Sequence, residues 1–169
     1  MLQWGTPLDL DMYQKWSDYY RRVMEGQKEV TIPNCVTAFP MAGFGSRFRQ
    51  EGYWVPKPCI EVNGHYMMDR ALRCLPKTER VVLGARTEHR DLLPLHDYGD
   101  VVWLDEVLPG QACTTERILR EIEPDKSFLV SACDNGVLYD ADKFLELVND
   151  EDNDIIVWSY RNNYTSHYN

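Results

Sequence analysis

Short apolar runs that alternate with segments of helical periodicity constrain the fold of this chain more than any other feature. Each run is continuously apolar, which is typical of strands in a parallel sheet covered on both faces. Strands that alternate with helices predict an α/β fold with a mostly parallel sheet and right-handed crossovers. The predicted strands are 35–40, 80–85, 101–104, 128–133 and 155–160, and the predicted helices are 67–75, 88–95, 112–122 and 141–148.

Three loops follow predicted strands. In open α/β sheets, ligands bind in the crevice outside the carboxyl ends of the strands. The loops after the first, third and fourth predicted strands are 41–58, 105–111 and 134–138. We therefore expect the residues with a chemical role to lie in these loops.

The first thirty residues differ from the rest of the chain. Residues 9–24 are a polar, aromatic-rich helix candidate, and 25–29 resemble its C-terminal stop and a linker. We expect a helical segment over 1–30 and an α/β domain over 31–169.

Composition excludes several classes of protein. The chain has 169 residues, 44% of them hydrophobic, which is enough for one core. Its net charge of −9 argues against binding to polymeric nucleic acid or to an anionic membrane. No transmembrane or signal pattern is present in the sequence, so we expect a cytoplasmic protein. The five cysteines are scattered and odd in number, and we expect reduced thiols in or near the core.

Glycines directly after the first predicted strand indicate a phosphate-binding loop, within residues 42–48 (AGFGSRF). Gly43 and Gly45 let backbone N–H groups approach an anion with no Cβ in the way. Arg47 can bind phosphate oxygens in a bidentate manner, and Lys57 supplies a compact charge from the same loop. Over residues 41–60, three basic residues stand against one acidic residue. The acidic chain therefore contains a local positive site.

Two well-known phosphate loops do not match this segment. The Walker A loop requires Gly-Lys followed by Ser or Thr, and the dinucleotide fingerprint requires a third glycine where this chain has Phe48. On the glycines alone, an ordinary tight turn between a strand and a helix remains open.

Further segments follow the loop in a fixed order: PKP at 56–58, EVNG at 61–64, GQA at 110–112 and SACDNG at 131–136. The series resembles the nucleotidyltransferase family (NTP transferases, or nucleoside-diphosphate-sugar pyrophosphorylases). It is similar above all to the branch found with bacterial capsule and surface-polysaccharide genes. The resemblance covers about 35–160, and it implies a Rossmann-like three-layer sandwich of the GT-A-like nucleotidyltransferase type.

The resemblance implies a reaction in which a phosphorylated substrate attacks the α-phosphate of a nucleoside triphosphate and pyrophosphate leaves. Such chemistry depends on positioning and charge stabilisation, without a protein nucleophile. Arg47 would neutralise charge on the leaving pyrophosphate, and Lys57 would hold the attacking phosphate or the α-phosphate. Asp134 would bind Mg²⁺, a hard cation that prefers oxygen ligands. The triphosphate would lie on Ala42, Gly43, Gly45 and Ser46, and the base against Gly110 and Gln111.

Three of these residues also have plain structural interpretations. Asp134 begins Asp-Asn-Gly, a good turn sequence. Lys57 lies between two prolines and is alternatively a solvated loop lysine, and Gln111 is alternatively a polar helix cap. These alternatives stay open at the level of sequence.

The two ends of the chain depart from the family's pattern. The family places a second metal-binding aspartate and much of the acceptor pocket beyond the equivalent of Asn169, and 160–163 resembles the middle of its domain. We therefore expect a domain that is C-terminally incomplete. Residues 3–10 (QWGTPLDL) resemble the motif that usually closes such a domain. This order predicts tandem units joined within the chain, with a permuted product as the alternative.

Three functional hypotheses follow. The first is a nucleotidylyltransferase that uses Mg²⁺ and couples an NTP to a sugar phosphate for capsule or surface-polysaccharide synthesis, or to a phosphorylated alcohol or amine of the choline-phosphate type. The second is a catalytically incomplete nucleotide-binding module of a larger protein. A Rossmann oxidoreductase is the weakest, because Phe48 replaces the expected glycine. We expect an NTP and a phosphorylated small molecule as partners, no nucleic acid polymer and no membrane, in a homo-oligomer or a longer multidomain chain.

Overall fold

A computed structural model describes residues 6–26, 28–92 and 94–159. The chain divides into two compact units, Met1–Leu138 and Tyr139–Asn169. Helix α1 (Pro7–Glu25) confirms the predicted N-terminal helix, and Gly26 follows it with a φ of 79°. A glycine in the left-handed region is a common end to a helix. The Trp-Gly motif at residues 4 and 5 lies outside the described residues, so the tandem arrangement and the boundary at residue 30 stay predictions.

Four parallel strands form the sheet of the first unit. They are β1 (Cys35–Pro40), β4 (Arg80–Arg86), β5 (Asp100–Leu104) and β6 (Ser127–Val130), in the spatial order β5-β4-β1-β6. Parallel strands need crossover connections. Those connections contain a short hairpin and three helices: β2 (Glu61–Val62), β3 (His65–Tyr66), α2 (Ser46–Gln50), α3 (Met67–Arg73) and α4 (Gln111–Leu119). The predicted α/β fold with a mostly parallel sheet is confirmed.

Strand β1 is buried along its whole length and separates two core clusters. Successive side chains of a strand point to opposite faces of the sheet. Phe39 packs with Met68 of α3 on one face, and Val36 packs with Ile118 of α4 on the other. The centre of the sheet is therefore covered on both faces, as the continuous apolar runs predict.

Helix α4 packs very closely against the sheet at Gly84, and this contact fixes its position. A Cβ atom at Gly84 in β4 would lie 2.8 Å from Ile118 Cδ1 and 3.0 Å from Thr114 Cγ2. Since real Cβ atoms do not approach so closely, only glycine at this position lets α4 lie against β4. The first turn of α4 is at the carboxyl edge of the sheet, where we expect the ligand.

Two predicted elements of the sequence analysis are wrong and three are shorter than expected, among them the predicted helices 67–75 and 112–122, which end at Arg73 and Leu119. The predicted helix 88–95 is wrong: this region forms 3-10 turns at Thr87–His89 and Leu95–Asp97, because Pro94 lacks an N–H and disfavours helix before it. The predicted strand 128–133 ends at Val130. Residues 155–159 form no strand, and with side chains 81% and 80% exposed, Ile155 and Val157 belong to no sheet face. Residue 160 lies outside the described residues.

The second unit contains helix α5 (Ala141–Val148), as predicted. The carboxylate of Asp140 caps it by accepting a hydrogen bond from the backbone N–H of Lys143. The rings of Tyr139, Phe144 and Trp158 pack together with centroids 4.8 to 5.3 Å apart.

The cysteines and helices bear on two further expectations. All five cysteines are described and none forms a disulfide. Cys35, Cys59 and Cys133 are buried as expected, whereas Cys113 is exposed, because it lies on the outer side of α4. Within the described ranges, no helix is long and apolar enough to cross a membrane.

Candidate active site

The glycine loop leaves β1 at the carboxyl edge of the sheet. The backbone N–H of Met41 donates to the carbonyl of Gly84, which extends the ladder by one residue. Gly45 then adopts the left-handed conformation, with φ 62°, and α2 begins at Ser46. A Cβ at Gly45 would lie 3.3 Å from Lys57 Cβ. Glycine therefore meets two requirements here, a positive φ and close packing against the turn that carries Lys57.

Lys57 is held by a short turn. The 3-10 turn Lys57–Cys59 lies between Pro56 and the buried Ile60, and its prolines restrict the backbone. The Lys57 side chain is only 26% exposed, and its Nζ forms an ion pair with Asp134. The same Nζ lies 5.6 Å from the centroid of the Phe48 ring. This geometry differs from that of a solvated loop lysine.

Asp134 reaches the site from the segment after β6. It lies in a turn, as the Asp-Asn-Gly sequence favours, and its carboxylate is aimed at Lys57. The turn is therefore compatible with a role for Asp134 in the site, and that role stays a prediction.

Two buried thiols lie close in sequence to the residues of the ion pair: Cys133 directly precedes Asp134, and Cys59 follows Lys57 by two residues. Burial, and then the charge of Asp134, raises the pKa of Cys133 to about 11. Burial, and then Cys133, raises the pKa of Cys59 to about 11. Both thiols are protonated at neutral pH, so neither is a nucleophile there.

A single cavity of about 400 Å³ brings all the site residues predicted from the sequence together. Three loops build it, the ones that follow β1, β5 and β6. Its predicted lining residues are Ala42, Gly43, Gly45, Ser46, Arg47, Lys57, Gly110, Gln111 and Asp134.

Other lining residues were missed by sequence reasoning. Met41, Val107 and Leu108 add apolar surface, and Thr114 lies one helical turn after Gln111. Val107 and Leu108 belong to a loop predicted to face the ligand, and that position is the signal that could have identified them. Met41 is the first residue of the predicted loop 41–58 and carries the same signal, whereas Thr114 carries none, because a hydroxyl residue there is equally typical of a core.

The cavity is suited to an anion. Arg47 and Lys57 contribute two positive charges, and among its described lining residues Asp134 is the only carboxylate. Helix α4 opens at the cavity, with Gly110 at its N-cap position and no acidic residue in its first turn. Gln111 is thus the first helical residue and does not hold the cap position. The N-terminus of a helix adds N–H donors and a partial positive charge.

A cluster at the end of β4 supports the loop and was not predicted. The buried Arg86 guanidinium lies 5.2 Å from the centroid of the Phe44 ring and forms an ion pair with Glu88. Glu88 Oε1 also lies 3.8 Å from Arg49 Nη2 and 3.3 Å from His89 Nε2. This cluster joins the glycine loop and α2 to β4. The sequence of this region predicts a strand followed by a helix, and that pattern does not reveal that Arg86 is buried.

Burial shifts the ionisation of this cluster. Desolvation, followed by the charge of Arg49, lowers the pKa of Arg86. Desolvation, and then the charges of Arg86 and Arg49, lowers the pKa of His89 from its ordinary 6.5 to about 4. His89 is therefore neutral at neutral pH.

Asp134 is the residue available for a magnesium ion. No group of three or more His, Cys, Asp or Glu side chains that could hold a metal occurs within the described part of the chain. Mg²⁺ is usually bound by one or two carboxylates together with substrate phosphates and waters. One carboxylate beside a cavity of about 400 Å³ fits that mode, in which the phosphates of a nucleotide would supply further ligands.

Two of the solved structures that resemble this chain are of low sequence identity. One is the nucleoside-diphosphate-sugar pyrophosphorylase from Vibrio cholerae RC9, with 20% identity, a TM-score of 0.47, and coverage of 65% of this chain and 52% of that chain. The other is a protein from Mycobacterium tuberculosis H37Rv, with 18% identity, a TM-score of 0.42, and coverage of 64% and 54%. This chain spans about half the length of either protein. Comparison with the curated proteins gives no match.

The family model of the MobA-like NTP transferase domain matches residues 40–167. The match begins at the last residue of β1 and includes every loop that lines the cavity. It confirms the resemblance to nucleotidyltransferases, whereas the capsule-gene branch stays a prediction. This chain belongs to the MobA-like NTP transferase domain family.

Proposed function

We propose that this domain transfers a nucleotidyl group from a nucleoside triphosphate to a phosphorylated small molecule, in the first place a sugar phosphate, with release of pyrophosphate. The observation that carries the proposal is the single cavity in which the glycine loop, Arg47, Lys57 and Asp134 meet. A role in capsule or surface-polysaccharide synthesis is part of the proposal and rests on the sequence resemblance.

The glycine loop binds the triphosphate. Backbone N–H groups at Gly43, Gly45 and Ser46 approach the phosphates, since the glycines have no Cβ to block them. Arg47, at the start of α2, binds the β- and γ-phosphates and compensates the charge that develops on the leaving pyrophosphate.

Lys57 and Asp134 act at the α-phosphate. Their ion pair holds both side chains at the cavity wall before substrate binds. When the nucleotide enters, Lys57 turns to a phosphate oxygen and aligns the α-phosphate with the attacking group. Asp134 would hold Mg²⁺, which when bound would supply positive charge to the phosphate oxygens.

The base lies on the β5 side of the cavity. Gln111 carries an amide with both donor and acceptor groups, so it can form hydrogen bonds to a base edge. Val107 and Leu108 provide apolar surface for the base to pack on.

A nucleotide-binding module that lacks part of its catalytic apparatus is the second candidate. The observation in its favour is that, among the described residues that line the cavity, Asp134 is the only carboxylate, so no second carboxylate for Mg²⁺ is found there. Such a module would bind nucleotide at the same cavity without turnover.

A pyrophosphate-release assay separates these two functions. The purified protein is incubated with Mg²⁺, each of the four ribonucleoside triphosphates or dTTP, and a panel of sugar phosphates and choline phosphate. We expect pyrophosphate release that requires both a nucleotide and an acceptor. Nucleotide binding without release for any pair would favour the module, and the absence of both would reject the site.

A further inference from the structure

A second cavity, of about 740 Å³, borders the Lys57–Asp134 pair. Its walls are α3 and the segment 134–138, and Phe48, Lys57 and Asp134 line both cavities. A ligand in the second cavity is therefore next to the residues that we place at the α-phosphate.

The second cavity has an uncompensated positive charge at Arg70. Its guanidinium donates to the backbone carbonyls of Val62, at 3.4 Å, and Asn63, at 3.2 Å. No carboxylate of the described residues lies within ion-pair distance of it. Arg73, which also lines the cavity, differs because its Nε donates to the buried carboxylate of Asp69 at 2.8 Å.

The remaining negative charge in the lining is already paired. Among the described lining residues Asp134 is the only carboxylate, and it binds Lys57. The net charge of the cavity is thus positive, and an anion there gains a bidentate partner in Arg70.

The other lining residues are suited to the carbon skeleton of a small organic molecule. Val62, Met67, Ala71, Val137 and Leu138 form apolar walls, and Asn63 adds an amide. A positive end next to apolar walls matches a phosphate monoester, with the phosphate at the charged end and the carbon skeleton along the walls.

We infer that the second cavity binds the phosphate monoester that accepts the nucleotidyl group, with Arg70 as the ligand of its phosphate. This inference rests on the proposed function. A phosphate oxygen of the acceptor forms a bond to the α-phosphorus, and the bond from that phosphorus to the bridging oxygen breaks. The electron pair leaves with pyrophosphate, and no protein group is covalently modified.

The test compares anion binding with nucleotide binding in matched variants. Arg70→Gln removes the charge but keeps a donor for the two hairpin carbonyls, so the hairpin is retained. Arg70→Lys restores the charge without the planar fork. Arg117→Ala removes an exposed arginine of α4 that lines neither cavity and serves as the control. The probes are inorganic phosphate, a hexose 1-phosphate, choline phosphate and, separately, a nucleoside triphosphate, each titrated into the full chain.

We expect Arg70→Gln to weaken binding of phosphate and of the preferred ester by about tenfold or more, with nucleotide affinity changed less than about twofold. Arg70→Lys should recover part of the loss, and Arg117→Ala should resemble the wild-type protein. One ester should bind more tightly than inorganic phosphate, and its identity distinguishes a sugar from an amino-alcohol acceptor.

Two results would overturn the inference in a protein that binds nucleotide. The first is unchanged phosphate and ester affinity in Arg70→Gln, and the second is that neither ester binds more tightly than inorganic phosphate. Failure of the proposed function is distinct, because the wild-type protein would then release no pyrophosphate with any nucleotide and acceptor, whatever the affinity of Arg70→Gln for the esters.

Discussion

Arg47 and Arg49 lie on the same short helix but have different surroundings. Arg47 lines the nucleotide cavity, whereas Arg49 lies 3.8 Å from Glu88. Loss of Arg47 should weaken triphosphate binding by about 10- to 100-fold, the usual worth of charge-assisted hydrogen bonds. Arg49→Ala removes the same charge from the same helix and should change the affinity by less than about threefold. Titration calorimetry measures both, and equal losses would show a general charge effect without a specific role for Arg47.

Replacement of Lys57 should affect transfer activity much more than stability. Its ion pair with Asp134 is partly exposed, so Lys57→Met should lower the free energy of unfolding by less than about 1 kcal/mol. Nucleotidyl transfer should fall by about 100-fold or more, because the charge that aligns the phosphates is lost.

The matched control for Lys57 is Lys126, which has a similar exposure and an ion pair of 2.7 Å with Glu79 outside both cavities. Lys126→Met should leave the transfer rate unchanged. Chemical denaturation and pyrophosphate release measure the two properties. Near-normal turnover of Lys57→Met would reject its proposed role.

His89 makes stability depend on pH. Its pKa is lowered to about 4 in the folded protein, so below its ordinary 6.5 the unfolded chain binds a proton that the folded protein does not. The stabilisation by neutral His89 is present at higher pH and is lost as pH falls. Relative to His89→Gln, which cannot titrate, the free energy of unfolding of the wild-type protein should fall by about 2 kcal/mol between about pH 7 and about pH 5. Urea unfolding at both pH values measures the loss for each protein. Equal losses in the wild-type protein and in His89→Gln would contradict the lowered pKa of His89.

At the scale of the element, Gly84 determines how α4 packs. Gly84→Ala would place a Cβ 2.8 Å from Ile118 Cδ1, so α4 must move away from β4. We expect a destabilisation of about 1–3 kcal/mol from overpacking. Gly43→Ala is the control, because no atom lies within 4 Å of the added Cβ, and it should change the free energy of unfolding by less than about 0.5 kcal/mol. Thermal unfolding compares them, and two equally stable variants would contradict the packing described for α4.

Elements that are apolar and buried could be predicted from the sequence, and elements set by long-range contacts could not. The run that forms β1 is buried at every residue, so its pattern is clear. Residues 88–95 have helical spacing, but Pro94 interrupts it and Glu88 forms an ion pair with Arg86. The apolar spacing of Ile155 and Val157 resembles a strand, yet whether a neighbouring strand pairs with such a run is not encoded locally.

The loops that face the ligand could be predicted from the sequence, but the contacts that hold these loops in place could not. Short polar motifs at strand ends indicate which residues face a ligand, and all of them line one cavity. The Lys57–Asp134 pair joins residues 77 positions apart, and the Arg86 cluster depends on burial. Distance and burial are properties of the fold, so no local pattern of the sequence contains them.

At the scale of the whole molecule, a net charge of −9 coexists with a positive cavity. The overall charge repels polyanions, while Arg47, Lys57 and the N-terminus of α4 act over the size of one triphosphate. This arrangement is suited to a small anion in preference to a nucleic acid polymer.

The most direct test of the account follows the phosphates of the nucleotide. The purified protein is given Mg²⁺, an acceptor phosphate ester and a nucleoside triphosphate that carries radioactive phosphorus at either the α- or the γ-position. We expect the α label to appear in a nucleoside-diphosphate product and the γ label in pyrophosphate. A γ label in orthophosphate, or an α label that never leaves free nucleotide in the presence of any acceptor, would contradict nucleotidyl transfer.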